Sequence, residues 1–151
     1  IIVSFQSLIL DMAGNVGTQS LAVTIRVLMD ETRTGRQKLE LVCKEGRIGL
    51  LNGLILGAAS CGVVGLYIML AKAKTAAFAF GISGCIGVAL LLAMAVSSIV
   101  GTCVPLLFKK LGVDPAVASG PLITTLNDLT AVVAYYGLAW LLLINTFGFG
   151  A

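Results

Sequence analysis

The stretch from Ile48 to Ala71, IGLLNGLILGAASCGVVGLYIMLA, indicates which class of protein this chain forms. It contains no charged residue and consists mostly of Leu, Ile, Val, Ala and Gly. An α-helix that crosses a hydrocarbon core of about 30 Å needs roughly 20 predominantly apolar residues. The stretch is therefore long enough to span a membrane as one helix.

The rest of the chain has the same character. Of its 151 residues, 58% are hydrophobic and 11% are charged, with a mean hydropathy of +1.05, whereas soluble domains contain about 25% charged residues. Three further apolar runs lie at about 1–29, 75–108 and 115–147. We predict an all-α fold, a polytopic transmembrane helix bundle of four spans that occupies 1–151 without a soluble domain. A lipid bilayer surrounds it, and no nucleic-acid partner is expected.

The basic residues predict the orientation, because loops rich in Lys and Arg stay in the cytoplasm. The connections 30–47 and 109–114 are therefore predicted to be cytoplasmic, in a multi-pass protein of the cell (inner) membrane. The first segment then starts outside, and an upstream helix in a longer chain is the simplest reason. Within 30–47, apolar residues indicate a brief interfacial helix. The basic residues are Arg26, Arg33, Arg36, Lys38, Lys44 and Arg47 at the first connection and Lys109 and Lys110 at the third.

Cysteine and histidine usage narrows the function classes. The four cysteines form no CxxC pair and the chain has no His, so neither a soft-metal site nor a disulfide framework is expected. We interpret the cysteines as small buried thiols. Without His, closely spaced catalytic acids or a metal-ligand motif, the chain is not expected to be an enzyme.

Two carboxylates lie within the predicted spans, Asp11 in the first and Asp128 in the last. An ionised acid at the bilayer centre costs about 2.5–3.5 kcal/mol on insertion scales, so such residues normally face a cavity or pathway. Asp11 precedes Arg26 by 15 residues and Asp128 follows Asp114 by 14, which places each acid roughly 21–23 Å from the cytoplasmic side. We therefore predict that both acids lie at the same level.

Further oxygen donors lie on the cytoplasmic side of Asp128. Thr124 is one turn away and matches Asn15 of the first span in depth. Pro121 has no N–H to bond the carbonyl of Val117, and freed carbonyls are tolerated at membrane depth only where they face protein or a wet cavity. Such oxygen donors suit magnesium, calcium or manganese better than zinc or copper. Three of these residues, Gly120, Thr124 and Asp128, follow one another at i, i+4 and i+8 and form a stripe along the last span.

Structural roles remain open for several residues. Small residues permit close helix packing, hydroxyl and amide side chains link helices by hydrogen bonds, and Asp before Pro is typical of a helix N-cap. Asp128 differs, because no Lys or Arg lies in the interior of the spans to pair with it, which favours a cation from solution. The packing interpretation applies to Gly14, Gly17, Gly53 and Gly57. The hydrogen-bond interpretation applies to Thr124, Thr125 and Asn127, and the N-cap interpretation applies to Asp114 with Pro115.

Two widely separated motifs resemble a known family. GNVGTQ (14–19) precedes the basic connection, and DPAVASGPLITTLND (114–128) opens the last span. In order and spacing they are similar to the membrane domain of the MgtE-type magnesium channels, over essentially the whole chain. The resemblance implies a homodimer of five-helix protomers with a magnesium-selective pore at their interface.

The resemblance also implies residue roles. Asp128 of both subunits would bind a largely hydrated Mg²⁺, the transported and pore-bound ion, and backbone carbonyls near Gly120 and Thr124 would complete the metal site. Asp11 falls where many members of the family carry an acid, and it is expected to line the path. The other residues expected to line it are Gly14, Asn15, Gly17, Pro121 and Thr125.

The chain departs from the family pattern in two respects. Ala13 stands where the family often has a second glycine before the asparagine. Full-length members also carry a regulatory cytoplasmic domain and a connecting helix, which this sequence does not contain, and four predicted spans against five imply that an upstream helix is missing too. In full-length relatives these segments are the expected partners of this region.

The predicted function is thus a hard-cation filter. Magnesium sheds water reluctantly and is usually held by one or two carboxylates, so a pore can select the hydrated ion. A proton- or sodium-coupled divalent cation transporter, in which Asp11 or Asp128 carries the coupling ion, is an alternative that would depend on that ion's gradient. A non-transporting membrane scaffold is another, and it would show no flux.

Overall fold

The computed structural model describes residues 3–29, 34–116 and 120–141. These ranges contain no strand, so the predicted all-α fold is confirmed. Two of the helices, α2 and α3, are long and apolar enough to cross a membrane, by length and composition. The count of four spans stays a prediction. The helices are α1 (Gln6–Leu28), α2 (Gly35–Ala71), α3 (Ala76–Lys110) and α4 (Gly120–Ala139), and a 3-10 turn (Val3–Phe5) precedes α1.

Helix α2 begins well before the predicted span. The sequence predicted a connection over 30–47, but the helix runs without a break from Gly35. The backbone N–H of Thr34 donates to the Gln37 side chain (2.9 Å), as in a capping box, which fixes the start of a helix. At 1.5 Å per residue its 37 residues extend about 55 Å, more than the hydrocarbon core of about 30 Å. The helix is thus long enough to project from the membrane.

Helix α3 lies at the centre of the bundle. It contacts each of the other three helices, whereas α1 and α2 barely touch. Ile86, Leu90 and Met94 of α3 are almost completely buried, in a core to which all four helices contribute. Helices α1 and α4 pack on α3 and on each other, so they form one side of the bundle.

Glycines bring α2 and α3 into backbone contact. A Cβ on Gly53 would lie 2.7 Å from the Cα of Leu91, and a Cβ on Gly57 would lie 2.6 Å from the carbonyl oxygen of Gly87. Small residues at such positions let helix backbones approach closely in membranes. The packing interpretation of Gly53 and Gly57 is confirmed.

Helix α1 meets both α3 and α4 at Gly17. A Cβ on Gly101 of α3 would overlap the carbonyl oxygen of Gly17, and a Cβ on Gly17 would overlap the side-chain amide of Asn127 in α4. Pro105, inside α3, supplies no N–H to the carbonyl of Gly101. Three helices thus meet where no side chain separates α1 from α3.

Hydrogen bonds also join the helices. Ser98 of α3 donates to the backbone carbonyl of Glu45 in α2, and its Oγ lies 3.0 Å from Ser20 Oγ of α1. Since a hydroxyl has one proton, Ser98 accepts from Ser20. At the end of α1, Lys109 Nζ donates to the carbonyl of Leu28, one of the groups that a helix end leaves without an intrahelical partner.

Candidate functional site

Exposed polar side chains lie on α1 and α4, the two helices that form one side of the bundle. Gly17 and Asn127 touch where these helices meet, and the exposed polar residues lie to one side of this contact or on the outward faces of the two helices. On α1 the spacing is i, i+4 and i+7, so three residues share one face. We define the α1–α4 strip as six residues, all exposed: Asp11, Asn15 and Thr18 of α1, and Thr124, Thr125 and Asp128 of α4.

The two carboxylates of the strip have no cationic partner in the described ranges. Neither Asp11 nor Asp128 forms an ion pair there; the pair that the structure shows joins Arg36 to Glu40 on the exposed start of α2 (3.3 Å). The described residues also contain no group of three or more His, Cys, Asp or Glu that could hold a metal ion. Within the described ranges, one copy of the chain therefore does not gather such side chains into a closed metal site.

The threonines of the strip present oxygen lone pairs outward. Thr124 donates its hydroxyl proton to the carbonyl of Gly120 (3.1 Å), and Thr125 donates to the carbonyl of Pro121 (2.8 Å). Thr18 donates to carbonyls one turn earlier in α1 (2.9 and 3.0 Å). A hydroxyl has one proton and two lone pairs, so these oxygens can only accept from an outside group. The strip therefore favours cations and the protons of their bound water.

Two contacts fix how α1 and α4 are aligned. Gly17 meets Asn127, and Gln6, at the start of α1, accepts a hydrogen bond from the Tyr136 hydroxyl (2.6 Å). The helices are therefore antiparallel. A residue halfway between Gln6 and Gly17 on α1 then lies level with a residue halfway between Asn127 and Tyr136 on α4. This places Asp11 level with residues 131–132.

This alignment corrects the predicted common level of the two acids. Asp11 lies about one turn, roughly 6 Å, beyond Asp128 along the bundle, and Gly14 and Asn15 are the residues of α1 that lie level with Asp128. The prediction is wrong because it took Arg26 and the residue before Pro115 to be equally deep. The carboxylates thus form two successive levels instead of one layer.

The other predicted site residues divide into exposed and packed positions. The GNVGTQ motif lies within an uninterrupted α1. Gly17 is buried in the helix contact, whereas no atom lies within 4 Å of a Cβ on Gly14. Gly120 and Pro121 are exposed at the described start of α4. Val117, whose carbonyl Pro121 was predicted to free, lies outside the described residues.

Two contacts were missed by the sequence analysis. Asn127 is fully buried against Gly17, and its side-chain amide has no hydrogen-bond partner in the described structure. The bond between Gln6 and Tyr136 joins residues 130 positions apart. No comparable signal marked Tyr136, because the apolar Val132 interrupts the stripe of Gly120, Thr124 and Asp128 before i+16.

Comparison with known proteins gives a consistent result. A family model described as MgtE, divalent cation transporter, matches residues 6–138. The chain is 40% identical over 139 residues to the magnesium transporter MgtE of Enterococcus faecalis, which covers 92% of this chain and 29% of that protein. Proteins of the same name from Bacillus subtilis and Thermus thermophilus are 36% and 35% identical, over 89% of this chain and 28% of each relative. The chain thus spans less than a third of these relatives.

Proposed function

The chain belongs to the MgtE family of divalent cation transporters, and we propose that two copies of it form a pathway for hydrated Mg²⁺ across the cell (inner) membrane. In this proposal the α1–α4 strips of the two copies face each other and line the pathway. The segments 30–47 and 109–114 lie on its cytoplasmic side.

The observation that carries the proposal is that two exposed carboxylates, without an ion-pair partner among the described residues, lie on a largely apolar bundle. Asp11 and Asp128 are exposed, while the outward face of α2 presents Leu54, Ile55 and Val63. An exposed apolar face suits lipid, but an exposed acid at membrane depth is costly unless it faces water or protein. The strip therefore needs to be covered by something other than lipid.

A second copy of the chain covers it in the way the chemistry requires. A two-fold axis along the strip would bring Asp128 of each copy to the same level, because a symmetric interface repeats every contact. Mg²⁺ usually keeps several waters and is held by one or two carboxylates. The dimer thus supplies the second carboxylate that a single protomer lacks.

The remaining residues of the strip would handle the water shell. Waters bound to Mg²⁺ are proton donors, and Thr124 and Thr125 offer only acceptor oxygens in the outward direction. Gly14 and Asn15 face the same level from α1, and Gly120 and Pro121 continue the path on α4. Rings of carboxylates and other oxygens are a general basis of cation selectivity. In this assignment Gly17 acts through helix packing.

The separation of the two acids is also compatible with coupled transport. Asp11 lies a turn beyond Asp128, so one carboxylate could carry a proton or sodium ion while the other holds Mg²⁺. Coupled transport of this kind predicts Mg²⁺ uptake that stops when the proton or sodium gradient is removed. Uptake driven by the Mg²⁺ gradient and membrane potential alone favours the channel.

The test is Mg²⁺ uptake into liposomes that contain the reconstituted chain and a Mg²⁺-sensitive dye. Asp128→Asn keeps the shape of the side chain and removes its charge, and we expect at least about a tenfold loss of uptake because the carboxylate pair is lost. Asp11→Asn, one turn away, should cause a smaller loss. Mass measurement in detergent should give a dimer for both variants.

The matched control is Glu40→Gln, which removes an exposed acid on the start of α2, outside the strip. It should leave uptake unchanged. Wild-type uptake by the Asp128→Asn dimer would overturn the site assignment. A chain that is monomeric in detergent and in crosslinking experiments would overturn the two-copy pathway.

A further inference from the structure

The hydrogen bond between Gln6 and Tyr136 lies on the same surface as the α1–α4 strip. The residues of α4 that pack inward are spaced by four: Ile123, Asn127, Ala131 and Tyr135 are all buried. The residue directly after each of them forms a parallel row beside the helix contact. That row consists of Thr124, Asp128, Val132 and Tyr136.

Tyr136 therefore lies eight residues beyond Asp128 in the same row, about 12 Å along the helix axis. It is 39% exposed, and its hydroxyl donates to Gln6 Oε1 at 2.6 Å. On the predicted orientation this end of the bundle is the outer end. The pair thus lies where an ion entering from outside would first meet the row.

The hydrogen bond determines what the phenol can offer. The Tyr136 hydroxyl has one proton, and it is used on Gln6, so only oxygen lone pairs are directed elsewhere. The neighbouring Tyr135 is 1% exposed and packs against the ring of Tyr136 with centroids 5.4 Å apart. The phenol oxygen is thus held in position by its partner and its neighbour.

We propose that Tyr136, held by Gln6, forms an outer recognition site for hydrated divalent cations, which loads the pathway before the ion reaches Asp128. The inference rests on the proposed function. Two copies would contribute two phenol oxygens, which accept hydrogen bonds from the water shell of the ion without replacing it. A neutral site of this kind holds the ion weakly, so the ion can move on to the carboxylates.

The first measurement is the dependence of uptake on outside Mg²⁺ concentration. Tyr136→Phe keeps the ring and removes the oxygen, and it should raise the half-saturating concentration by about three- to tenfold, the effect of losing one net hydrogen bond, with little change in the maximal rate. Gln6→Leu should act in the same direction. Gln6→Glu adds negative charge and should lower the half-saturating concentration.

The control variant is Tyr67→Phe. Tyr67 is exposed at the same end of the bundle, on α2, where its ring meets Phe5 edge-on at 6.5 Å, but it lies outside the row. Loss of the Tyr67 hydroxyl should leave the half-saturating Mg²⁺ concentration unchanged. If Gln6 and Tyr136 only hold α1 against α4, Tyr136→Phe and Gln6→Leu should instead lower the melting temperature and the maximal rate, with the half-saturating concentration as in the wild type. This outcome would overturn the proposal.

A second measurement does not depend on transport. Terbium(III) prefers oxygen ligands and emits when a phenol close to it absorbs light, so its emission in a Trp140→Phe background reports a cation near a tyrosine. We expect emission that Mg²⁺ suppresses, that survives Asp128→Asn and Tyr67→Phe, and that falls in Tyr136→Phe. Emission that persists in Tyr136→Phe, or that disappears in Asp128→Asn, would contradict the outer site even if the chain transports Mg²⁺.

Discussion

The α2–α3 contact and the α1–α4 contact are both built on glycine, yet they leave different surfaces behind. At the first, Gly53 and Gly57 bring the two backbones together, and α2 turns Leu54 and Ile55 outward. At the second, Gly17 performs the same packing role, but the α1–α4 strip beside it carries two acids. One contact completes a surface suited to lipid, and the other leaves a surface that requires water or another copy of the chain.

This difference separates what packs the bundle from what would conduct ions. Gly53 and Gly57 of α2 face backbone atoms of α3 and cannot take part in a pathway, whereas a side chain on Gly14 would enter open space and the strip is exposed. A motif of small residues in a membrane helix therefore has two possible meanings. Which one applies depends on whether a neighbouring helix occupies the space where a side chain would be.

The largest effect is expected at the α2–α3 contact. In Gly57→Val the new Cβ would lie only 2.6 Å from the carbonyl oxygen of Gly87. Overpacking of this kind typically lowers the free energy of unfolding by about 1–3 kcal/mol, occasionally more. We expect the variant to lose most of its folded, monodisperse protein in size-exclusion chromatography. Gly62→Val is the control on the same helix, because nothing lies within 4 Å of a Cβ there. Equal yields of the two variants would contradict the packing role.

The apolar runs were sufficient to predict the helices, because a long run with very few charges has few alternatives to a helix in a membrane. They could not predict where α2 begins, since the segment after Thr34 is polar and its helix depends on the capping bond to Gln37. The row of Thr124 and Asp128 was visible from helical spacing alone. The alignment of α1 with α4 was not, because it depends on contacts such as that between Gly17 and Asn127.

A smaller but more informative effect is expected within the GNVGTQ motif. Gly14→Val adds a branched side chain to open space level with Asp128, so it should reduce Mg²⁺ uptake about three- to tenfold by narrowing the path, with the melting temperature nearly unchanged. Gly17→Val should instead reduce stability, because its side chain overlaps the Asn127 amide. The two measurements are uptake in liposomes and thermal unfolding in detergent. If Gly14→Val unfolds the chain and Gly17→Val does not, the division between packed and open glycines is wrong.

The smallest effect is expected at the threonine nearest to Asp128 in its row. Thr124→Val has nearly the same shape as threonine but replaces the hydroxyl oxygen, which would accept from the water shell of the ion, with a methyl group. It should lower uptake about two- to fivefold, the lower part of the range for one net hydrogen bond. The bond from the Thr124 hydroxyl to the carbonyl of Gly120 (3.1 Å) is also lost, but it lies within one turn of α4, so stability should change little.

Thr124→Ser separates these two roles, because serine keeps the hydroxyl and loses the methyl group. If the oxygen matters for the ion, uptake should be close to the wild-type value in the serine variant and reduced in the valine variant. If Thr124 only fills space between helices, valine should be the better replacement, since it preserves volume and avoids burying a polar group. Higher uptake with valine than with serine would therefore move Thr124 from the ion path to the packed surface and leave the carboxylates as the chemical distinction between the two contacts.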